Sequence, residues 1–179
     1  MQDVKKLLYS VIDEVGKQKI RCELNANIAE ASAKYCSEIV ATCTKRLGNE
    51  ANAENLGVMC EALLHFMLTA VMLPSERKVF VDTVEYSVIV PSVKMLKKNP
   101  EKALVIQVIK NEDADQKMRQ AEAIQPHKEN IWLVSPNSIA TEYKNYKLQG
   151  EGLQYTSLLA DIQKFISEKG VSGLKLMHG

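Results

Sequence analysis

The residues of this chain with the most to offer chemically are dispersed acids, one amide and a group of lysines. Glu61 and His65 stand four apart, a spacing that puts both on one helix face and also suits a simple surface pair. Gln107 interrupts the apolar run Ala103–Ile109 (ALVIQVI). A buried amide there needs hydrogen-bond partners, because leaving it unpaired costs about 1–3 kcal/mol. Lys110 follows that run, three residues past Gln107, so on an ideal strand the two point to opposite faces. Asp82 and Glu85 flank a short turn between Val-rich segments, where acids are common hairpin residues. Lys94, Lys97, Lys98 and Lys102 crowd one connection. Ammonium groups so gathered suit nucleic-acid phosphates, and they equally suit a solvated surface segment.

Several chemistries are excluded at once. The sequence has no GxGxxG, Walker loop, HExxH or GxSxG motif, and His65, His127 and His178 are scattered. Cys22, Cys36, Cys43 and Cys60 form no CxxC pair and lack a histidine at zinc-site spacing, so free, buried thiols are expected. With 23 Lys plus Arg against 22 Asp plus Glu, no whole-surface field draws the chain to nucleic acid or membrane, and only a local patch can. Three Phe, one Trp and six Tyr are too few to support single-strand binding by base stacking. The longest apolar stretch, Ala62–Leu73, is broken by His65 and Thr69 and is too short to span a membrane. The start, MQDVKKLLYSVIDEV, lacks the apolar block of a signal peptide, and a cytoplasmic location is expected.

The elements that must position these groups follow from periodicity. At 46% hydrophobic and 25% charged, the 179 residues are ordinary globular sequence. Val4, Leu7, Leu8, Val11, Ile12 and Val15 predict one amphipathic helix; Ile28, Tyr35, Cys36, Ile39, Val40, Cys43 and Leu47 a second. Leu56, Met59, Cys60, Leu63, Leu64, Met67, Leu68 and Val71 predict a third. The period then changes. Lys78–Asp82 and Glu85–Pro91 read as a hairpin, and Ala103–Ile109 and Ile131–Val134 as central strands covered on both faces. A helix over Asn111–Ile124 joins the last two by a right-handed parallel crossover. A short helix is expected at Ile139–Tyr146, a helix at Leu153–Ser167 and an edge strand at Val171–Met177. The expected fold is α/β, a mixed sheet of about four to five strands flanked by helices. Residues 1–50 form a helical region and 51–179 the α/β part, with no linker of Pro, Gly and Ser between them.

From residue 51 the order helix, strand, strand, strand, helix, strand resembles the core of the restriction-endonuclease-like superfamily, the PD-(D/E)xK nucleases. The likeness covers Glu61 to Val134. In that family one strand ends near Pro-Asp, the next carries an acid, a spacer and a Lys, and a Glu often comes from the preceding helix. The resemblance implies Mg²⁺ held by the acids, activating water and neutralising the scissile phosphate, with the Lys orienting the nucleophile. Here Pro91-Ser92 stands for Pro-Asp, Gln107 and Lys110 for the acid and lysine, and Glu61 for the helical Glu. A hydroxyl and an amide are poor substitutes for carboxylates around Mg²⁺. Either the site is eroded, which is favoured, or Asp82, Glu85 and Glu112 have taken over beside Glu61.

The expectation is a nuclease-like protein that binds DNA or RNA through Lys94, Lys97, Lys98 and Lys102, with Glu61, Asp82 and Glu85 as candidate metal ligands and Gln107 and Lys110 as candidate catalytic groups. The rival expectation is a non-catalytic protein–protein interaction module. In it the amphipathic helices at 3–15 and 26–47 continue their stripes across a homo-oligomer.

Overall fold

The computed structural model describes residues 3–111, 114–149 and 153–170. Four helices lead into the sheet, α1 (Val4–Val15), α2 (Lys17–Ala26), α3 (Ile28–Leu47) and α4 (Ala53–Ala70), one more than the apolar spacing predicts. The extra helix, α2, buries only Ile20 and Leu24, a stripe too thin to stand out in sequence. Gly16, at φ +108°, turns the chain between α1 and α2, a conformation that side chains rarely adopt. Asn27 starts α3 by accepting from the Glu30 N–H at 3.1 Å.

The sheet has five strands in the order of the chain: β1 (Glu76–Val81), β2 (Val84–Val90), β3 (Leu104–Val108), β4 (Ile131–Ser135) and β5 (Lys144–Lys147). β2 is antiparallel to both of its neighbours, β1 and β3; β3, β4 and β5 are parallel. The β1–β2 turn places Asp82 and Thr83 at φ +49° and +71°, the two left-handed residues of a tight hairpin. Helix α5 (Val93–Lys98) follows β2, α6 (Ala114–Ile124) makes the crossover from β3 to β4, and α7 (Leu158–Lys169) closes the described chain.

The short helix expected at Ile139–Tyr146 does not form; β5 occupies its second half. Tyr143 and Tyr146 have helical spacing, yet Tyr146 packs its ring 5.5 Å from Trp132 on β4 and donates its hydroxyl to Asp161 Oδ2 at 2.7 Å. Those tertiary contacts outweigh local periodicity. The strand expected at Val171–Met177 lies outside the described residues.

Two apolar layers cover the sheet. Leu104, Ile106 and Val108 of β3 belong to a core shared with Leu8, Ile12, Tyr35, Ile39, Leu63 and Ile162. Val105 and Ile109 belong to the opposite layer, with Leu96, Met118 and Ala121. The amphipathic stripes of α1 and α3 are therefore spent on the chain's own core.

Candidate functional site at the Glu61 carboxylate

Helix α4 crosses the end of β3, and one glycine makes the crossing close. A Cβ at Gly57 would stand 2.8 Å from the Ile109 carbonyl oxygen and 2.8 Å from Lys110 Cγ. Only a bare Cα lets the helix approach the strand exit so nearly. Glu61 lies one turn further along and Glu54 one turn earlier, on the same face. Glu54 Oε2 accepts from the Asn111 side-chain amide at 2.9 Å, which ties the two segments at their edge.

Glu61 is 2% exposed. Its Oε2 takes two ammoniums, Lys110 Nζ at 3.3 Å and Lys78 Nζ at 3.6 Å. Its Oε1 is buried without a hydrogen-bond partner. Lys78 comes from β1 and Lys110 from just past the end of β3, and Lys78 arrives by an irregular route. It sits at φ +50° inside β1, where the β1–β2 ladder skips the step between Arg77↔Val88 and Val79↔Tyr86. A non-glycine residue in this region is sparsely populated and persists only when its surroundings impose it. Further cations stand near. The charge of Lys78 holds the Lys5 ammonium below its ordinary range, with burial second, while Glu61 acts the other way and Arg77 adds to the lowering. His65, one turn beyond Glu61, is also held below its ordinary range, first by burial and then by Arg77.

Opposite Lys78, the β2–β3 ladder stops at Val88↔Ile106, and side chains continue it. The Ser87 N–H donates to Gln107 Oε1 at 3.1 Å, and the Val108 N–H donates to Ser87 Oγ at 3.0 Å. Gln107 therefore splices two diverging strands. Its Nε2 is buried without a partner. The same alternation that puts Ile106 and Val108 on the α4 side places Gln107 on the other face, apart from Lys110. Counting back two residues from Lys110 to the strand position on its own face gives Val108, 1% exposed. Where the nuclease pattern has its strand acid, this chain has a valine.

Of the residues singled out by sequence, the structure brings together Glu61 and Lys110. Asp82 lies in the β1–β2 turn, facing α6 with Tyr86, Arg119 and Gln120. Glu85 pairs with Phe80 in the same hairpin. Ser92 starts α5, its Oγ accepting from the Met95 N–H at 3.1 Å, so it is a helix cap. Glu112 lies outside the described residues. Lys94, Lys97 and Lys98 are exposed on α5 and Lys102 is half-buried after it. Because β2 runs antiparallel to β3, α5 sits beside the start of β3, whereas Lys110 leaves its end. The four lysines thus lie at the opposite end of β3 from the Glu61 site. Sequence reasoning missed Lys78, Ser87, Val108 and Gly57. Gly57 alone carried a signal, as an isolated glycine in an apolar helix. Cys36, Cys43 and Cys60 are buried free thiols, while Cys22 is exposed; burial pushes Cys36 up to about 12.

The fold is that of the restriction endonucleases. The metal-depleted structure of Ecl18kI with uncleaved, modified DNA matches with a TM-score of 0.57 at 11% identity, covering 94% of this chain and 80% of that one. The PspGI–substrate DNA complex matches with a TM-score of 0.55 at 11% identity, covering 94% of each chain. No family model and no curated protein matches the sequence.

The Mg²⁺ that such a fold implies can be tested against the side chains. Among the described residues no group of three or more His, Cys, Asp or Glu is placed to hold a metal ion. Glu61 contributes one carboxylate, and one of its oxygens already serves two ammoniums. Val108 offers no donor, and Gln107 Oε1 is occupied by a backbone N–H. Mg²⁺ requires near-octahedral oxygen donors, which these residues do not supply. The described side chains do not fit the ion. No helix among them is long and apolar enough to cross a membrane.

Proposed function

We propose that this chain is a DNA-binding protein built on the restriction-endonuclease fold that does not hydrolyse DNA. The observation that carries the reading is the composition of the site. Lys78 and Lys110 converge on the buried Glu61, while Val108 stands at the strand position of an acid. Such a site retains cations able to contact phosphate, and among the described residues no carboxylate set is placed to hold a hydrolytic metal. The two nuclease structures with the same fold are both DNA complexes, which supports DNA as the partner. The exposed Lys94, Lys97 and Lys98 of α5, with Lys102, add a second phosphate-directed group at the other end of β3. Among the described residues none of these four has a carboxylate within ion-pair distance.

The test is duplex binding by fluorescence anisotropy, alongside a cleavage assay on supercoiled and linear DNA with Mg²⁺ or Mn²⁺. The expected result is salt-sensitive binding with no nicking. Metal-dependent cleavage lost in Glu61→Ala would overturn the reading and establish a working nuclease.

A further inference from the structure

Resting on the DNA-binding reading above, we propose that the Lys78 and Lys110 ammoniums, gathered on Glu61, seat a backbone phosphate of DNA directly, their paired positive charge standing beside the carboxylate where a divalent cation would otherwise sit. Both Nζ atoms lie on one oxygen of a single carboxylate, at 3.6 and 3.3 Å, where their fixed charge occupies the position of a cation held by Glu61. The layering suits an incoming anion. The carboxylate is 2% exposed, whereas the Lys110 and Lys78 side chains are 20% and 38% exposed, so a phosphate reaches the ammoniums first.

The backbone is bent toward this arrangement. Lys78 holds a left-handed conformation within a strand, at the one step where the β1–β2 ladder is interrupted. An outlier of this kind, in contact with a buried charge, marks a position set by the site rather than by the strand. Lys5 and Arg77 add positive charge near Lys78, whose charge holds the Lys5 ammonium below its ordinary range. Glu61 is a positioning residue in this scheme. It holds the lysines from beneath and contributes a negative charge that a phosphate must tolerate.

The experiment is anisotropy with a short fluorescein-labelled duplex, across a salt series, in EDTA and in Mg²⁺. The full chain is used, with circular dichroism melts to confirm that each variant is folded. Lysines are neutralised in a Glu61→Gln background, because stripping them from a buried carboxylate threatens the fold itself. Wild type is expected to bind in EDTA, with Mg²⁺ giving no gain in affinity and acting only as a competing counterion. Glu61→Gln keeps an acceptor oxygen, removes the opposing charge and is expected to tighten binding several-fold. Adding Lys78→Gln or Lys110→Gln is expected to weaken binding and to lower the slope of log Kd against log salt by about 1 each. Lys78→Arg, which keeps the charge, is expected to keep the slope.

Binding that requires Mg²⁺, or that is lost in Glu61→Gln, overturns the ammonium scheme and leaves DNA as the partner. Binding in EDTA that ignores both lysine substitutions does the same. An absence of duplex binding in either buffer overturns the DNA-binding reading itself.

Discussion

Gln107 shows how a polar residue inside an apolar strand can be structural. Its carbonyl oxygen accepts the Ser87 N–H just where the β2–β3 ladder ends, and Ser87 returns the favour by accepting the Val108 N–H. Gln107→Leu keeps the volume and removes the acceptor. The Ser87 N–H is then buried and unpaired, which costs about 1–3 kcal/mol, offset in part by loss of the orphaned Nε2. Urea denaturation should show a lower midpoint with an unchanged slope. A midpoint equal to wild type would mean that the splice contributes nothing. Glu61 makes the converse case. It reads as an exposed helix acid paired with His65, but it is buried, and its partners come from within β1 and from just past the end of β3.

At the scale of elements, the site depends on how closely α4 approaches the end of β3. Gly57 permits that approach, since an added methyl would meet a backbone carbonyl that cannot swing aside. Gly57→Ala improves intrinsic helix propensity and should nevertheless destabilise the protein by about 1–3 kcal/mol through overpacking. It should also move Glu61 away from Lys110. The expected outcome is a lower melting temperature together with weaker DNA binding than wild type. A higher melting temperature would show that the helix relaxes without strain and that the close crossing is unimportant.

For the whole molecule, one apolar layer joins the N-terminal helices, the sheet and α7, so events at the site should be felt by the global fold. A ligand that binds only the native state stabilises it by mass action, by about 2.7 kcal/mol at one hundred times Kd. For a chain of this length that corresponds to roughly 5–10 °C in melting temperature. Duplex DNA is expected to raise the melting temperature accordingly, and millimolar MgCl₂ alone is expected to leave it unchanged. A rise with MgCl₂ alone would point to a carboxylate site that the described side chains do not form.

The α/β class, the hairpin, the parallel crossover and the nuclease-like order of elements were legible in the sequence. Period-2 and period-3.6 patterns and turn residues are local properties of the chain. The helix α2, the strand β5 and the membership of the site were decided by tertiary structure. Tyr143 and Tyr146 carry helical spacing, and packing of Tyr146 on Trp132 overrode it. Lys78 and Glu61 are seventeen positions apart in the chain, and Glu61 and Lys110 forty-nine, so no spacing rule could join them. What joined them was the pleat of β3, which put Val108 and Lys110 on the face of α4 and turned Gln107 to the other, together with a glycine small enough to let the helix in.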